Sequence, residues 1–299
     1  ANVTALVRRN SSNVIKSIPH LVDKIKIRWG DITDLSLLIS ETRDTEIIYH
    51  LRAQSHVQYS LYNPVETYQT NTIGTMNVLE AARINDVKRI VHAGSAEVYG
   101  KPETVPIEEN HPLEPRSPYA AGKVASDRLM FAYYCSYGLP VVMSRFFGIY
   151  GPRQSIEKAI PKFILQIHNK KSPCVYGDGK QVRDWLYVED HVDALYTVLK
   201  KGKLGETYNI GGNNEKSNIE VVNKVCSLLD ERSPRKEGSY SDLISFVEDR
   251  PGHDFRYAID STKLKEELNW TPIESFETGL TKTVEWYLAN DSWLSKVTV

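Results

Sequence analysis

The 299-residue chain sets 37 Lys and Arg against 38 Asp and Glu, a formal net charge of -1, with 41% hydrophobic and 25% charged residues. That balance gives no basic surplus for nucleic acid and no acidic tail, and no run approaches the ~18 apolar residues of a membrane helix. Three widely separated cysteines (Cys135, Cys174, Cys226) argue against a disulfide framework or metal site, and with no evident signal peptide they predict a reducing, cytoplasmic setting.

Strands and helices alternate through the first half. Asn2–Val7 reads as a strand, Lys24–Trp29 as a second by its alternation, and Thr45–Leu51 as a short apolar third. Pro64–Ile84 predicts a long helix, Arg89–Ser95 a strand, Pro118–Tyr137 a helix and Pro140–Phe146 a strand. Such alternation implies a doubly wound parallel sheet, α/β in class, with ligands bound at the carboxyl ends of its strands. The second half is less regular, with turns at Tyr176–Gly179 and Gly211–Asn214, and the boundary falls near Tyr150-Gly151-Pro152.

No G-x-G-x-x-G occurs. Either one βα unit lies upstream, or this is not a cofactor-binding domain. The first reading is preferred, because losing a mid-sheet strand would bare two flanking edges and a core face.

The strongest chemical signal is Ser117-Pro118-Tyr119-Ala120-Ala121-Gly122-Lys123. Tyr119 and Lys123 share one helix face. An ammonium nearby should lower the phenol's pKa and make Tyr119 a base for a sugar hydroxyl. Ser95, at the end of the preceding strand, can bond the same hydroxyl, and Glu97 can act as a second base. The order strand, Ser95, then Tyr-x-x-x-Lys is far more specific than the Tyr-Lys spacing alone. The histidines His20, His50, His92, His111, His191 and His253 show no metal-ligand spacing and read as packing or surface residues, so no metal is expected.

On these motifs the chain resembles the nucleotide-sugar epimerase/dehydratase branch of the extended short-chain dehydrogenase/reductases. His50–Val57 resembles the segment lining the nicotinamide ribose, and Asn71 with Gly74-Thr75 the N-x-x-G-T motif. Glu157–Pro161, Tyr176–Gly179, Val182–His191, Asp249–Asp254 and Arg256–Asp260 resemble dTDP-glucose 4,6-dehydratases. Val7–Ser12 with Ile18–Leu21 resembles GDP-mannose 4,6-dehydratases instead.

The resemblance implies a Rossmann-type dinucleotide-binding domain over residues 1–150, with parts of 180–213 returning to it, and a smaller, mainly sugar-nucleotide-binding lobe over 151–299. It implies a 4,6-dehydratase: Tyr119, with Lys123 and Ser95, oxidises C4, Glu97 takes the C5 proton, water leaves from C6, and hydride returns to C6. Cofactor contacts fall on Arg8, Arg9, Asp31, Ile32, Leu51, Ala53, Gln54, Asn71, Tyr119 and Lys123, and substrate contacts on Ser95, Lys158, Arg183 and Arg250. The cofactor is NAD(P), and Arg8-Arg9, with no acid after the strand, favours NADP. A homodimer through Pro64–Ile84 and Pro118–Tyr137 is expected, with no nucleic-acid or membrane partner.

Three positions depart from the pattern. Ser95-Ala96-Glu97 stands where dTDP-glucose enzymes carry Thr-Asp-Glu, Gly148 where relatives place a substrate-binding Asn, and Arg52 where Ala is usual. Ala96 keeps a 4-epimerase as the alternative, Glu97 a UDP-glucuronate decarboxylase, and the missing glycine loop an inert sugar-nucleotide-binding protein.

Overall fold

The computed structural model describes residues 1–8, 18–169, 171–249, 255–290 and 293. The chain forms two compact units. One comprises Ala1–Phe146, Asp193–Ile210 and Asp260–Thr271, the other Phe147–Val192, Gly211–Ile259 and Pro272–Val299.

In the first unit, β1 (Thr4–Val7) pairs in parallel with β2 (Lys26–Trp29). β3 (Ile47–His50), β4 (Arg89–Ala93), β5 (Val141–Phe146) and the strand Thr207–Ile210 form a second parallel sheet, ordered Thr207–Ile210, β5, β4, β3. This is the expected doubly wound α/β architecture. β4 and β5 read as near-continuous apolar runs because helices bury both faces of a parallel sheet. Among the described residues β1 ladders only to β2 and β3 only to β4. Leu6 of β1 and Ile48 of β3 nonetheless pack on one cluster of Ile32, Leu38, Val78 and Ala81. The free edge of β3 leaves Ile47 45% exposed.

The expected Pro64–Ile84 helix is present over its whole span but carries a π-helical turn. After α1 (Leu35–Glu41) and α2 (Val57–Tyr62), the segment splits into α3 (Pro64–Tyr68), a π-helical stretch Gln69–Ile73, and α4 (Gly74–Ile84). The cause is a tertiary bond: Asn71 accepts from Gln54 N at 2.7 Å and donates to Gln54 O at 3.1 Å. A widened turn brings that amide inward, as π-bulges at functional sites often do. Helix α5 (Pro118–Tyr137) matches its expected span. Ser117 Oγ accepts from Ala120 N at 3.1 Å, Pro118 occupies the first turn, and Gly138 closes the helix in the left-handed region at φ 66°.

The second unit is a mixed α/β assembly. Val182–Asp184 lies between Glu215–Ser217, antiparallel, and Arg256–Tyr257, parallel. Helices Ala159–His168, Asn218–Arg232 and Phe276–Ala289 pack around Tyr150, Trp185, Tyr187, Phe276 and Leu280. No helix among the described residues is long and apolar enough to cross a membrane.

Candidate active site

The residues expected to carry chemistry follow the carboxyl ends of parallel strands, where such sheets bind ligands. Ser95 follows β4 and caps the short 3-10 turn Ala96–Tyr99, its Oγ accepting from Glu97 N at 3.3 Å. Tyr119 lies in the first turn of α5, its backbone N–H donating to Ser60 Oγ at 3.2 Å. There the positive end of the helix dipole favours a phenolate. Tyr119 and Ser95 are joined by a side-chain hydrogen bond, Glu97 stands close enough to act on Tyr119 by its charge, and all three are buried or half-buried. One turn on, Lys123 is buried and donates from Nζ to Ala93 O at 2.7 Å. The structure thus gathers Ser95, Glu97, Tyr119 and Lys123 in one unit.

The electrostatics differ from the expectation. Tyr119 is not brought below an ordinary tyrosine: burial and then the Glu97 carboxylate push its hydroxyl up, and only the Ser95 hydrogen bond opposes them. Lys123 is brought down to about 8 by burial, with Asp127 opposing. Its ammonium is directed to a backbone carbonyl, so it does not offset the loss of water around the phenol. Ala96 is fully buried and offers no proton.

The expected cofactor residues are arranged as follows. Asp31 accepts from Thr33 N and Oγ1, each at 3.0 Å. The Ile32 side chain belongs to the core. Leu51 is exposed, Ala53 is half-buried, and Gln54 is fixed by Asn71. Arg8 donates from Nη1 to Glu66 Oε1 at 3.2 Å and lies 3.9 Å from Asp31. Arg52 acts electrostatically on the same group, so two guanidinium groups face two carboxylates. Arg8, one half of the Arg8-Arg9 pair behind the NADP preference, is thus already engaged by carboxylates. Arg9 and Arg250 lie outside the described residues.

In the second unit Lys158 precedes the helix Ala159–His168. Arg183 is buried, with its guanidinium over the rings of Phe147 at 5.6 Å and Tyr257 at 5.2 Å and Nη1 donating to Val182 O at 2.7 Å. It is a rigidly oriented cation.

Two of the histidines read as packing or surface residues are packing residues, and one buried acid escaped the sequence reading. His50 and His92 stack at 5.4 Å in the interior, bonded through Nε2 to Thr75 Oγ1 at 2.9 Å and Ser126 Oγ at 3.4 Å. Burial, and then the Lys123 charge, hold both neutral, His50 down to about 3. Asp127, four residues beyond Lys123, is also buried, and the helical repeat of Tyr119 and Lys123 was the signal that could have found it.

The family described as GDP-mannose 4,6 dehydratase matches residues 1–283. The chain belongs to that family. It is 44% identical over 309 residues to a dTDP-glucose 4,6-dehydratase of Xanthomonas campestris, covering 99% of this chain and 88% of that protein. Among solved structures, a dTDP-glucose 4,6-dehydratase of Streptomyces venezuelae with NAD bound superposes with a TM-score of 0.84 at 38% identity, covering 90% of this chain and 81% of the other. A UDP-glucose 4-epimerase of Thermotoga maritima with UDP-glucose reaches a TM-score of 0.86 at 27% identity, covering 96% and 91%.

Proposed function

We propose that this family member is a nucleotide-sugar 4,6-dehydratase acting on dTDP-glucose or a close relative. The observation that carries the reading is Glu97 beside the Ser95–Tyr119 hydrogen bond. An epimerase needs no base at C5, whereas a dehydratase does. The higher identity to the dehydratase than to the epimerase supports the same choice.

The residues fit a nicotinamide dinucleotide: Asp31 and Ile32 follow β2, Leu51, Ala53 and Gln54 follow β3, and Tyr119 and Lys123 stand beyond β4, all at carboxyl ends of parallel strands. We assign them to NAD rather than NADP, because Arg8 is already engaged with Glu66 and Asp31. Bound NAD supplies the acceptor and later the donor of hydride.

Ser95 would hold the sugar 4-hydroxyl, and Tyr119 would take its proton when the cationic ring of bound NAD opposes the burial and Glu97 charge that otherwise keep the phenol protonated. The resulting 4-ketone acidifies C5–H, and Glu97 removes that proton as the 6-hydroxyl departs as water. With Ala96 in place of an acid, the departing hydroxyl is protonated by Glu97 itself or by solvent. Arg183, and Arg250 with Lys158, are assigned to the diphosphate, for which a stacked guanidinium is suited.

The exposed side chains of Tyr62 and Val65, 75% and 68% accessible, with Tyr68, Phe131 and Tyr137, support an isologous homodimer through α3 and α5. Free Cys135, Cys174 and Cys226 support a reducing, cytoplasmic setting.

The test is incubation of the chain with dTDP-glucose and NAD in deuterated water, followed by mass spectrometry. The reading requires loss of one water and deuterium at C5. Glu97→Gln should slow product formation ~10²–10⁴-fold while reduced nicotinamide accumulates. Full turnover by that variant, with an unchanged substrate mass, would establish the epimerase instead.

A further inference from the structure

The face of α5 that carries Tyr119 and Lys123 continues for one more turn. Tyr119, Lys123 and Asp127 recur every four residues, with accessibilities of 8%, 3% and 0%. Asp127 is gripped by Arg145, Nε to Oδ2 at 2.9 Å and Nη2 to Oδ1 at 3.0 Å, and is also met by Arg128 Nε at 3.0 Å. Arg145 is held in turn, donating from Nη1 to Tyr99 OH and to Glu109 O, each at 3.0 Å. The Tyr99 hydroxyl donates to Asn209 Oδ1 at 2.7 Å. The carboxylate one turn from the lysine is thus fixed by groups drawn from β5, the 3-10 turn and the strand Thr207–Ile210.

Stability alone does not account for such a pair. Taking two charges out of water offsets most of their attraction, and a well-packed apolar pair would hold α5 to β5 equally well. An apolar pair could not place a negative charge beside a buried ammonium. The other carboxylates around α5 are turned elsewhere: Glu97 acts on Tyr119, Glu66 of α3 meets Tyr59 and Arg8, and Glu80 of α4 meets Arg83 and Tyr133. The rings nearest Lys123, His50 of β3 and His92 of β4, are neutral and give it no counter-charge.

We propose that Asp127, locked by Arg145 one helical turn beyond Lys123, is a positioning residue that keeps the Lys123 side chain in its ammonium form, donating to Ala93 O. Burial opposes the ammonium, and among the described residues Asp127 is the charge that favours it. Burial alone would raise Asp127, but the Arg145 hydrogen bonds and charge outweigh it and hold the carboxylate below its ordinary value. The consequence for turnover rests on the dehydratase reading, whereas the consequence for Lys123 does not.

The test is the titration of Lys123 in protein labelled with ¹³Cε-lysine, its resonance assigned by its loss in Lys123→Met. The informative variant is the double substitution Asp127→Asn with Arg145→Gln, because Asp127→Asn alone strands a buried guanidinium. In the double variant the Lys123 midpoint should fall by about one pH unit or more. Asp127→Glu should restore most of the parent value. In turnover assays the basic limb of the kcat profile should move to lower pH by the same amount, because the ammonium is then lost sooner. A folded double variant with the parent chain's Lys123 midpoint overturns the proposal. If the midpoint moves but the parent chain turns over no sugar nucleotide, the role of Asp127 stands and the dehydratase reading falls.

Discussion

The two units fill their interiors with different materials. Behind Tyr119, the first unit buries Lys123, Asp127, Arg145, His50 and His92, each bonded in a fixed direction. The second unit buries rings: Tyr150 lies 5.6 Å from Phe276, 5.8 Å from Tyr187 and 6.2 Å from Trp185. Its phenols reach the backbone, Tyr150 to Phe276 O at 3.2 Å and Tyr287 to Gln154 O at 3.0 Å. Polar interiors define where a charge can stand, while aromatic interiors supply area and shape. The comparison sets a buried polar network in one unit against an aromatic cluster in the other, so substitutions in each should produce different losses.

The largest expected effect tests cohesion. Phe276→Ala should remove about 3–5 kcal/mol of stability in denaturant titrations, because it opens a cavity among Tyr150, Trp185 and Leu280. The Lys123 midpoint should not move. If it shifts with the loss of the ring, the polar network depends on the aromatic cluster.

The next effect is acid sensitivity, which tests the polar core. His50 is held down to about 3 and His191 of the second unit to about 4, each mainly by burial, against an ordinary 6.5. A histidine depressed in the folded state is neutral there and takes up a proton on unfolding. Its contribution is therefore intact above the unfolded value and is lost as pH falls from about 6.5 towards the folded one. Each such ring should add about 1.4 kcal/mol per pH unit to the slope of stability in that window. His50→Asn should flatten the slope between pH 6.5 and about 3. An unchanged slope would mean the ring takes up its proton without unfolding.

The smallest effect is local. Ser217 and Glu220 form a reciprocal capping box at the start of Asn218–Arg232. Ser217→Ala should lower stability by about 1 kcal/mol in thermal melts and leave the pH slope unchanged.

How much of this was legible in the chain depended on how local each signal was. The bounds of α5 could be read because Ser117, Pro118 and Gly138 are its own cap, first turn and stop. The doubly wound order followed from alternating elements. The π-helical turn inside Pro64–Ile84 could not be read, because it accompanies Asn71 reaching Gln54, seventeen residues away. The raised Tyr119 hydroxyl was missed for a similar reason. Helical spacing places Lys123 on the same face, but it does not say that Ala93 O receives the ammonium. That Glu66, fifty-eight residues on, would engage Arg8 was equally out of reach of local pattern. The partnership of Asp127 with Arg145 spans eighteen residues and two element types, which no periodicity encodes.

At Gly148 the backbone itself has become the wall. Its φ is +63°, and a Cβ built there would lie 2.0 Å from Asp184 O, a backbone atom with no rotamer to yield. Asparagine tolerates the left-handed region, so conformation alone does not bar a side chain here, but that carbonyl does. Placing one would require Val182–Asp184, laddered to a strand on either side, to shift. The position is therefore closed to side-chain chemistry: whatever a neighbouring ligand receives from residue 148 is main-chain hydrogen bonding alone.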